Sequence, residues 1–204
     1  MRFISIPRLT GIFYPQIIKS FPRAKGKLFF TFDDGPDADV TPHVLEILKQ
    51  YKAKATFFCL GENVKKNLEL YNRILEEGHN TGNHGFNHIN GFKTKTGLYI
   101  ENIERAEKAI NNNIFRPPYG KLRPSQYKIL KKKYKIILWD VMTYDFDKSL
   151  TNEQCAEIVI KNAKDGSIVV FHDTQQAKVR LLLVLPKLLD YYTEKGFQFD
   201  KIEV

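Results

Sequence analysis

Two adjacent carboxylates, Asp33 and Asp34, end the β-rich run KLFFTFD and are followed at once by Gly35-Pro36. Side chains alternate faces along a strand, so both carboxylates can serve one site only where the strand breaks. Neighbouring carboxylates resist simultaneous ionisation unless positive charge is near, and a metal ion would resolve that conflict. His84 and His88 stand four residues apart, a spacing from which two imidazoles reach one ion, and Gly82, Gly85 and Gly91 around them indicate a tightly shaped loop. One carboxylate and two imidazoles suit Zn²⁺ and other borderline divalent ions, with positions left open for water and substrate. Such an ion lowers the pKa of bound water towards about 7 and polarises a carbonyl. Hydrolysis of an amide also wants a base and an acid, each contributing roughly 10²–10⁴ in rate. Asp33 is the candidate base, and His172, directly after the apolar run SIVVF, the candidate acid. His43 falls on a helix and His79 just after Gly78, and both read as structural or surface histidines.

The elements that must position these groups alternate along the chain. Strand patterns cover 27–33, 53–60, 79–83, 114–117, 134–141, 167–171 and 197–202. Helical patterns lie between them. Thr41 and Pro42 open one over 40–50, another covers 67–77, and Tyr99, Ile103, Ala106 and Ile110 form an apolar stripe. A further helix covers 122–133, and Thr151-Asn152-Glu153-Gln154 is a capping box that opens the next. The last helix runs to Lys195-Gly196 with Pro186 in an early turn or at a kink. Some seven β/α alternations predict a parallel α/β barrel or a doubly wound sheet. Asp33-Asp34, Asn83-His84, Arg116, Asp145 and His172 all fall at or just beyond C-terminal strand ends, which in a barrel converge on one face.

At these residues the sequence resembles the polysaccharide deacetylases of the NodB-homology type, carbohydrate esterase family 4. Thr31-Phe32-Asp33-Asp34-Gly35-Pro36 matches that family's first motif, and His84-Gly85-Phe86-Asn87-His88 is similar to its His-(Ser/Thr)-x-x-His motif. Arg116-Pro117-Pro118-Tyr119-Gly120 resembles the third, Trp139-Asp140-Val141 with Asp145 the fourth, and Val170-Phe171-His172 the Leu-x-His fifth. The motifs occur in family order over residues 27–200. The resemblance implies a distorted (β/α) barrel of seven or eight strands. It implies Asp34, His84 and His88 as ligands of one divalent ion, Zn²⁺ first, with Co²⁺, Mn²⁺ or Ni²⁺ as alternatives, and metal-bound water as nucleophile. It further implies Asp33 as base oriented by Arg116, and His172 as acid oriented by Asp145. The Tyr119 N–H would bind the oxyanion, with Pro118 and Trp139 as substrate-binding neighbours. Three positions depart from the pattern: Gly85 for Ser/Thr, Phe146 for a Trp, and Val170 for Leu.

The implied reaction is removal of an N-acetyl group from a carbohydrate, of GlcNAc-type peptidoglycan, a chitin-like oligomer or a lipid-linked saccharide. O-acetyl esterase activity on an acetyl-xylan-like polymer, deformylation and cyclic-amide hydrolysis would use the same site. A non-catalytic carbohydrate-binding relative is a further reading, opposed by the presence of every ligand, base and acid.

With 204 residues, 43% of them hydrophobic, the chain has the size of one domain, divided here into an N-terminal extension (1–24) packed on or flanking a catalytic domain (25–204). Cys59 and Cys155 lie far apart and read as buried free thiols. The formal charge of +9 favours anionic partners. Lys is scattered, with no tail or motif for nucleic acid; an enzyme with a Lys-rich surface is the plainer reading, and peripheral contact with a membrane or anionic cell-wall polymer the alternative. Prolines 7, 15 and 22 interrupt the extension, so no signal peptide or membrane span is recognisable, and compartment and oligomeric state stay open.

Overall fold

In β1 (Lys27–Asp33) alternate residues part to opposite faces, as the two-residue period of a strand requires. Leu28, Phe30 and Phe32 enter one apolar cluster, whereas Phe29 enters another with Phe58, Ile114, Ile168 and Val170. The first cluster lies between the sheet and its helices; the second fills the interior of the curl. Phe32 stacks between Phe57 and Phe171, with ring centroids 4.9 and 5.4 Å away. Each such ring contributes about 1.5–3 kcal/mol on full burial.

A computed structural model describes residues 14–204. After β1 come α1 (Thr41–Gln50), β2 (Thr56–Cys59), α2 (Gly61–Lys66), α3 (Leu68–Glu76), β3 (Asn80–Asn83), α4 (Thr96–Glu107) and β4 (Ile114–Phe115). A 3₁₀ turn (Pro118–Gly120) leads to α5 (Pro124–Leu130), β5 (Lys135–Ile136) and β6 (Val141–Met142). The chain ends with α6 (Asn152–Asn162), β7 (Ile168–His172), α7 (Lys178–Glu194) and β8 (Gln198–Phe199). The sheet order is β5-β4-β3-β2-β1-β7-β6, with β8 paired to β1, and every strand pair is parallel. This is the expected distorted barrel, a parallel sheet curled with helices outside.

Several local expectations change. The apolar run 134–141 is two short strands, β5 and β6, at opposite edges of the sheet. Between them Ile137, Leu138 and Trp139 turn into the interior cluster, so one hydrophobic run crosses the gap that a single strand could not. Thr41 is the first helical residue of α1 and caps nothing; its hydroxyl donates to Asp173. Helix α2 went unrecognised because six residues carry too little periodicity. The capping box at Thr151 forms with both reciprocal bonds. Pro186 sits within α7, not in its first turn. Cys59 and Cys155 are buried and unbridged.

The described part of the extension, from residue 14, lies across the remaining seam. Ile18 N–H donates to the Ile136 carbonyl at 2.9 Å, and the Ile18 carbonyl accepts from Leu138 N–H at 2.8 Å. Ser20 pairs antiparallel with Ser167, and the Phe21 ring meets Phe29 at 4.7 Å. Tyr14 packs edge-on against Tyr127 at 4.8 Å. Membrane or polymer contact is a reading of the whole extension 1–24, of which 1–13 lie outside the described residues. Within the described residues no helix is long and apolar enough to cross a membrane.

Candidate active site

The strand register already assembles the centre. Asp33 on β1 is the direct neighbour of His172 on β7, and of Phe58 on the other side. Asn83, which precedes His84, pairs with Phe115, which precedes Arg116. Inward-pointing positions at the C-terminal ends of four strands therefore meet at one mouth.

Arg116 is fully buried, and four donors find partners: Asp33 Oδ1 at 2.6 Å, Thr31 Oγ1 at 2.8 Å, and the carbonyls of Leu138 at 3.1 Å and Ile137 at 3.4 Å. Its guanidinium lies 4.0 Å over the Phe58 ring. Burial lowers the arginine's pKa, and Asp33 opposes that pull. A buried pair this well satisfied fixes one carboxylate in place; without Arg116 the charge of Asp33 would be stranded.

Asp34 adopts a left-handed backbone, with φ 79°, which breaks the alternation and turns its carboxylate toward the histidines. Its Oδ1 lies 3.5 Å from His84 Nε2 and 3.3 Å from His88 Nε2. His84 Nδ1 lies 2.7 Å from the Arg116 carbonyl, which can only accept, so the proton is on Nδ1 and the Nε2 lone pair faces Asp34. Burial lowers the His84 pKa to about 3, so the ring is neutral. Asp34 Oδ1 is itself buried without a hydrogen-bond partner. Ligand atoms about 2.0–2.2 Å from a tetrahedral ion stand about 3.3–3.6 Å apart. One orphaned carboxylate oxygen and two imidazole nitrogens, all within 4.8 Å of one another, fit such an ion.

The turn bearing both carboxylates is clamped by residues the sequence did not single out. Asn63 Nδ2 donates to the Asp34 carbonyl at 2.7 Å, and Asn67 Nδ2 to that of Pro36 at 3.0 Å. Asp173 accepts from Gly35 N–H at 3.2 Å and from the Thr41 hydroxyl. Position 35 must be glycine, because a Cβ there would lie 2.1 Å from the Asp173 carboxylate. Burial raises the Asp173 pKa to about 8, against the Thr41 bond. The only trace of Asn63, Asn67 and Asp173 in the sequence is two amides four residues apart and a carboxyl directly after the strand-end histidine, none of which names its partner.

Asp145 grips His172 twice, through ring Nδ1 and through the backbone N–H, each at 2.8 Å. Burial would lower the His172 pKa, but Asp145, by charge and hydrogen bond, raises it to about 9. Phe146 sets its edge against the same ring at 4.8 Å, so the apolar wall is kept at that departure. Around Gly85 (φ 85°) the bracing comes from Asn102, which accepts from Asn87 N–H at 3.0 Å and donates to the Asn87 carbonyl at 2.8 Å.

A cavity of about 640 Å³ opens over these groups, with Asp33, Asp34, His84, His88 and His172 at its floor. Trp139 and Tyr119 line it; Pro118 is buried in the turn, and its neighbour Pro117 lines the wall instead. The Tyr119 ring contacts His88 at 4.4 Å. Gly120 and Lys121 N–H groups close the turn, and that of Tyr119 takes no part in closing it.

Fold and mouth together define a hydrolytic barrel enzyme. A family model described as polysaccharide deacetylase matches residues 22–135, more than half of the chain. A peptidoglycan-N-acetylglucosamine deacetylase of Bacillus cereus is 35% identical over 188 residues, covering 88% of this chain and 68% of its own. A peptidoglycan N-acetylglucosamine deacetylase solved in complex with 4-naphthalen-1-yl-N-oxidanyl-benzamide superposes with a TM-score of 0.89 at 32% identity, covering 97% of this chain and 95% of that one. A CE4 family pseudoenzyme of Bacillus anthracis matches with a TM-score of 0.80 at 27% identity, over 91% of this chain and 67% of that one. The chain belongs to the polysaccharide deacetylase family, carbohydrate esterase family 4, and the deacetylases among these relatives are hydrolases of carbon–nitrogen bonds other than peptide bonds.

Proposed function

We propose that this chain removes N-acetyl groups from an amino-sugar polymer, GlcNAc-type peptidoglycan first, using one divalent ion held by Asp34, His84 and His88. The observation that carries this reading is the pairing of Asp33 with Arg116 beside that donor set, with His172 and Asp145 across the same mouth. The relatives named as peptidoglycan deacetylases support the substrate class. When bound, the ion, Zn²⁺ first, supplies acidified water and a polarised acetyl carbonyl.

The chain's own residues do the rest. Asp33, aimed by Arg116, takes a proton from the attacking water. The Tyr119 N–H offers a donor for the oxyanion, worth a few kcal/mol when preorganised. His172, kept protonated by Asp145, gives its proton to the departing amine nitrogen as the carbon–nitrogen bond breaks. Acetate and a free amino sugar leave. Trp139 and Phe146 supply apolar wall to the acyl pocket.

The family includes a pseudoenzyme, but here the ligand set, the base and the acid are all present. The deciding measurement is acetate release from a panel of N- and O-acetylated saccharides, with Zn²⁺, Co²⁺ and Mn²⁺ each added to metal-free protein. Asp33→Asn should lower turnover at least about 10²-fold while metal content stays at one ion per chain. Full activity in that variant, or after complete chelation, would overturn the mechanism.

A further inference from the structure

We propose that Lys121 forms a subsite for a carboxylate on the substrate next to the sugar being deacetylated, so that the groove selects an anionic amino-sugar strand over a neutral one. This rests on the deacetylase reading and narrows its substrate class.

Lys121 is the single Lys or Arg among the residues lining the cavity. Other lysines, such as Lys133, Lys161 and Lys201, are engaged in ion pairs, whereas Lys121 has no carboxylate partner among the described residues. Its position is fixed by the backbone. The chain doubles back through Tyr119 (φ 60°) and Gly120 (φ 64°), and Lys121 N–H donates to the Pro118 carbonyl at 3.1 Å. Lys121 then leaves in extended conformation, with φ −104° and ψ 119°. Leu122 is buried in the cluster with Tyr99 and Phe115, so alternation along extended backbone sends the preceding side chain the opposite way, onto the cavity rim. The Lys121 carbonyl is wedged at Gly91, where an added Cβ would stand 2.3 Å from it. The rim backbone is held, and the ammonium alone sweeps.

The chemistry of the floor sets what that ammonium is for. The two carboxylates that line the cavity are each met by positive charge, Asp33 by Arg116 and Asp34 by the proposed ion, whereas Lys121 has no carboxylate partner among the described residues. A cation at the rim favours a carboxylate where the neighbouring sugar must lie once the acetyl group reaches Asp33 and His172. The volume, about 640 Å³, is in the range that encloses drug-sized ligands, room for more than one sugar ring. Tyr119, over half exposed at the same rim, offers the ring face beside the charge. Two sources carry the required carboxylate: an acid ether-linked to the adjacent sugar, or a peptide stem attached through it.

The test measures affinity by calorimetry and acetate release for three oligosaccharides of equal length: neutral chitotetraose, a muramic-acid-containing tetrasaccharide with free lactyl carboxylates, and its stem-peptide form. Wild-type, Lys121→Gln and Lys121→Arg proteins are compared at low and high salt. Tighter binding of an anionic ligand, with the anionic-to-neutral affinity ratio falling about fivefold in Lys121→Gln and kept in Lys121→Arg, supports the subsite. That ratio should also shrink with salt in wild type and much less in Lys121→Gln. Whichever anionic form shows the effect identifies the carboxylate. A ratio near one in wild type, or one unchanged by Lys121→Gln, overturns the proposal. A Lys121-dependent preference in binding without acetate release from any ligand leaves the subsite standing and overturns the deacetylase reading.

Discussion

At the scale of single residues, His172 and Asp145 show how one side chain sets the charge state of another. His172 is held protonated to about pH 9 by Asp145. The sign follows: a general acid with a raised pKa works below that value, and activity falls as pH climbs through it. Asp145→Asn removes the counter-charge, so the alkaline limb of the kcat/KM profile should move down by a unit or more. An unshifted limb would show that another group carries it. Asp33, Asp34, His84, His88, Arg116, Asp145 and His172 were legible as a set, since charged and imidazole side chains at strand ends have few structural uses. Asp173, Asn63 and Asn67 were not. Their work is to hydrogen-bond backbone groups of a turn distant in sequence, and polar residue type alone carries no address for such a partner.

At the scale of elements, the turn after β1 is held from three directions: α2, its junction with α3, and the end of β7. Asp173 is the link from β7, since it meets both Gly35 and Thr41. Asp173→Ala leaves a buried N–H and a hydroxyl without that partner, a cost of about 1–3 kcal/mol for each unsatisfied group. Urea denaturation should report a loss of about 2–6 kcal/mol, with metal affinity falling alongside; equal stability would place the clamp elsewhere. Element boundaries were partly legible. β1 and the capping box at Thr151 came through because local pattern and tertiary role agree there. The run 134–141 misled because its apolarity serves the interior and the seam at once, and hydropathy does not tell which neighbour covers a residue.

At the scale of the whole molecule, the sheet does not close on its own edges among the described residues; the arm containing Ile18 and Phe21 lies along the seam. Ile18→Pro removes the N–H that bonds the Ile136 carbonyl and strains the approach to Leu138. A destabilisation of about 1–3 kcal/mol should appear as a Tm lowered by about 3–10 °C, with exposed apolar surface reported by dye binding. No change in Tm would mean that the arm is ornamental. The barrel itself was legible from alternating strand and helix patterns, while the arm was not placed. Its prolines and mixed composition fix no periodicity, and the strands it bridges, at Ile136 and Ser167, stand more than a hundred residues away.

That separation matters during synthesis. The arm leaves the ribosome more than a hundred residues before its partners, the carbonyl of Ile136 and the strand partner Ser167, are made. Until then Ile17, Ile18 and Phe21 have no interior to enter, and the nascent barrel keeps an open flank. Contacts so distant along the chain carry the loop-closure cost of forming late. Docking of the arm is therefore expected as a closing event of folding, and a chain stalled before β7 should expose its apolar seam to chaperones.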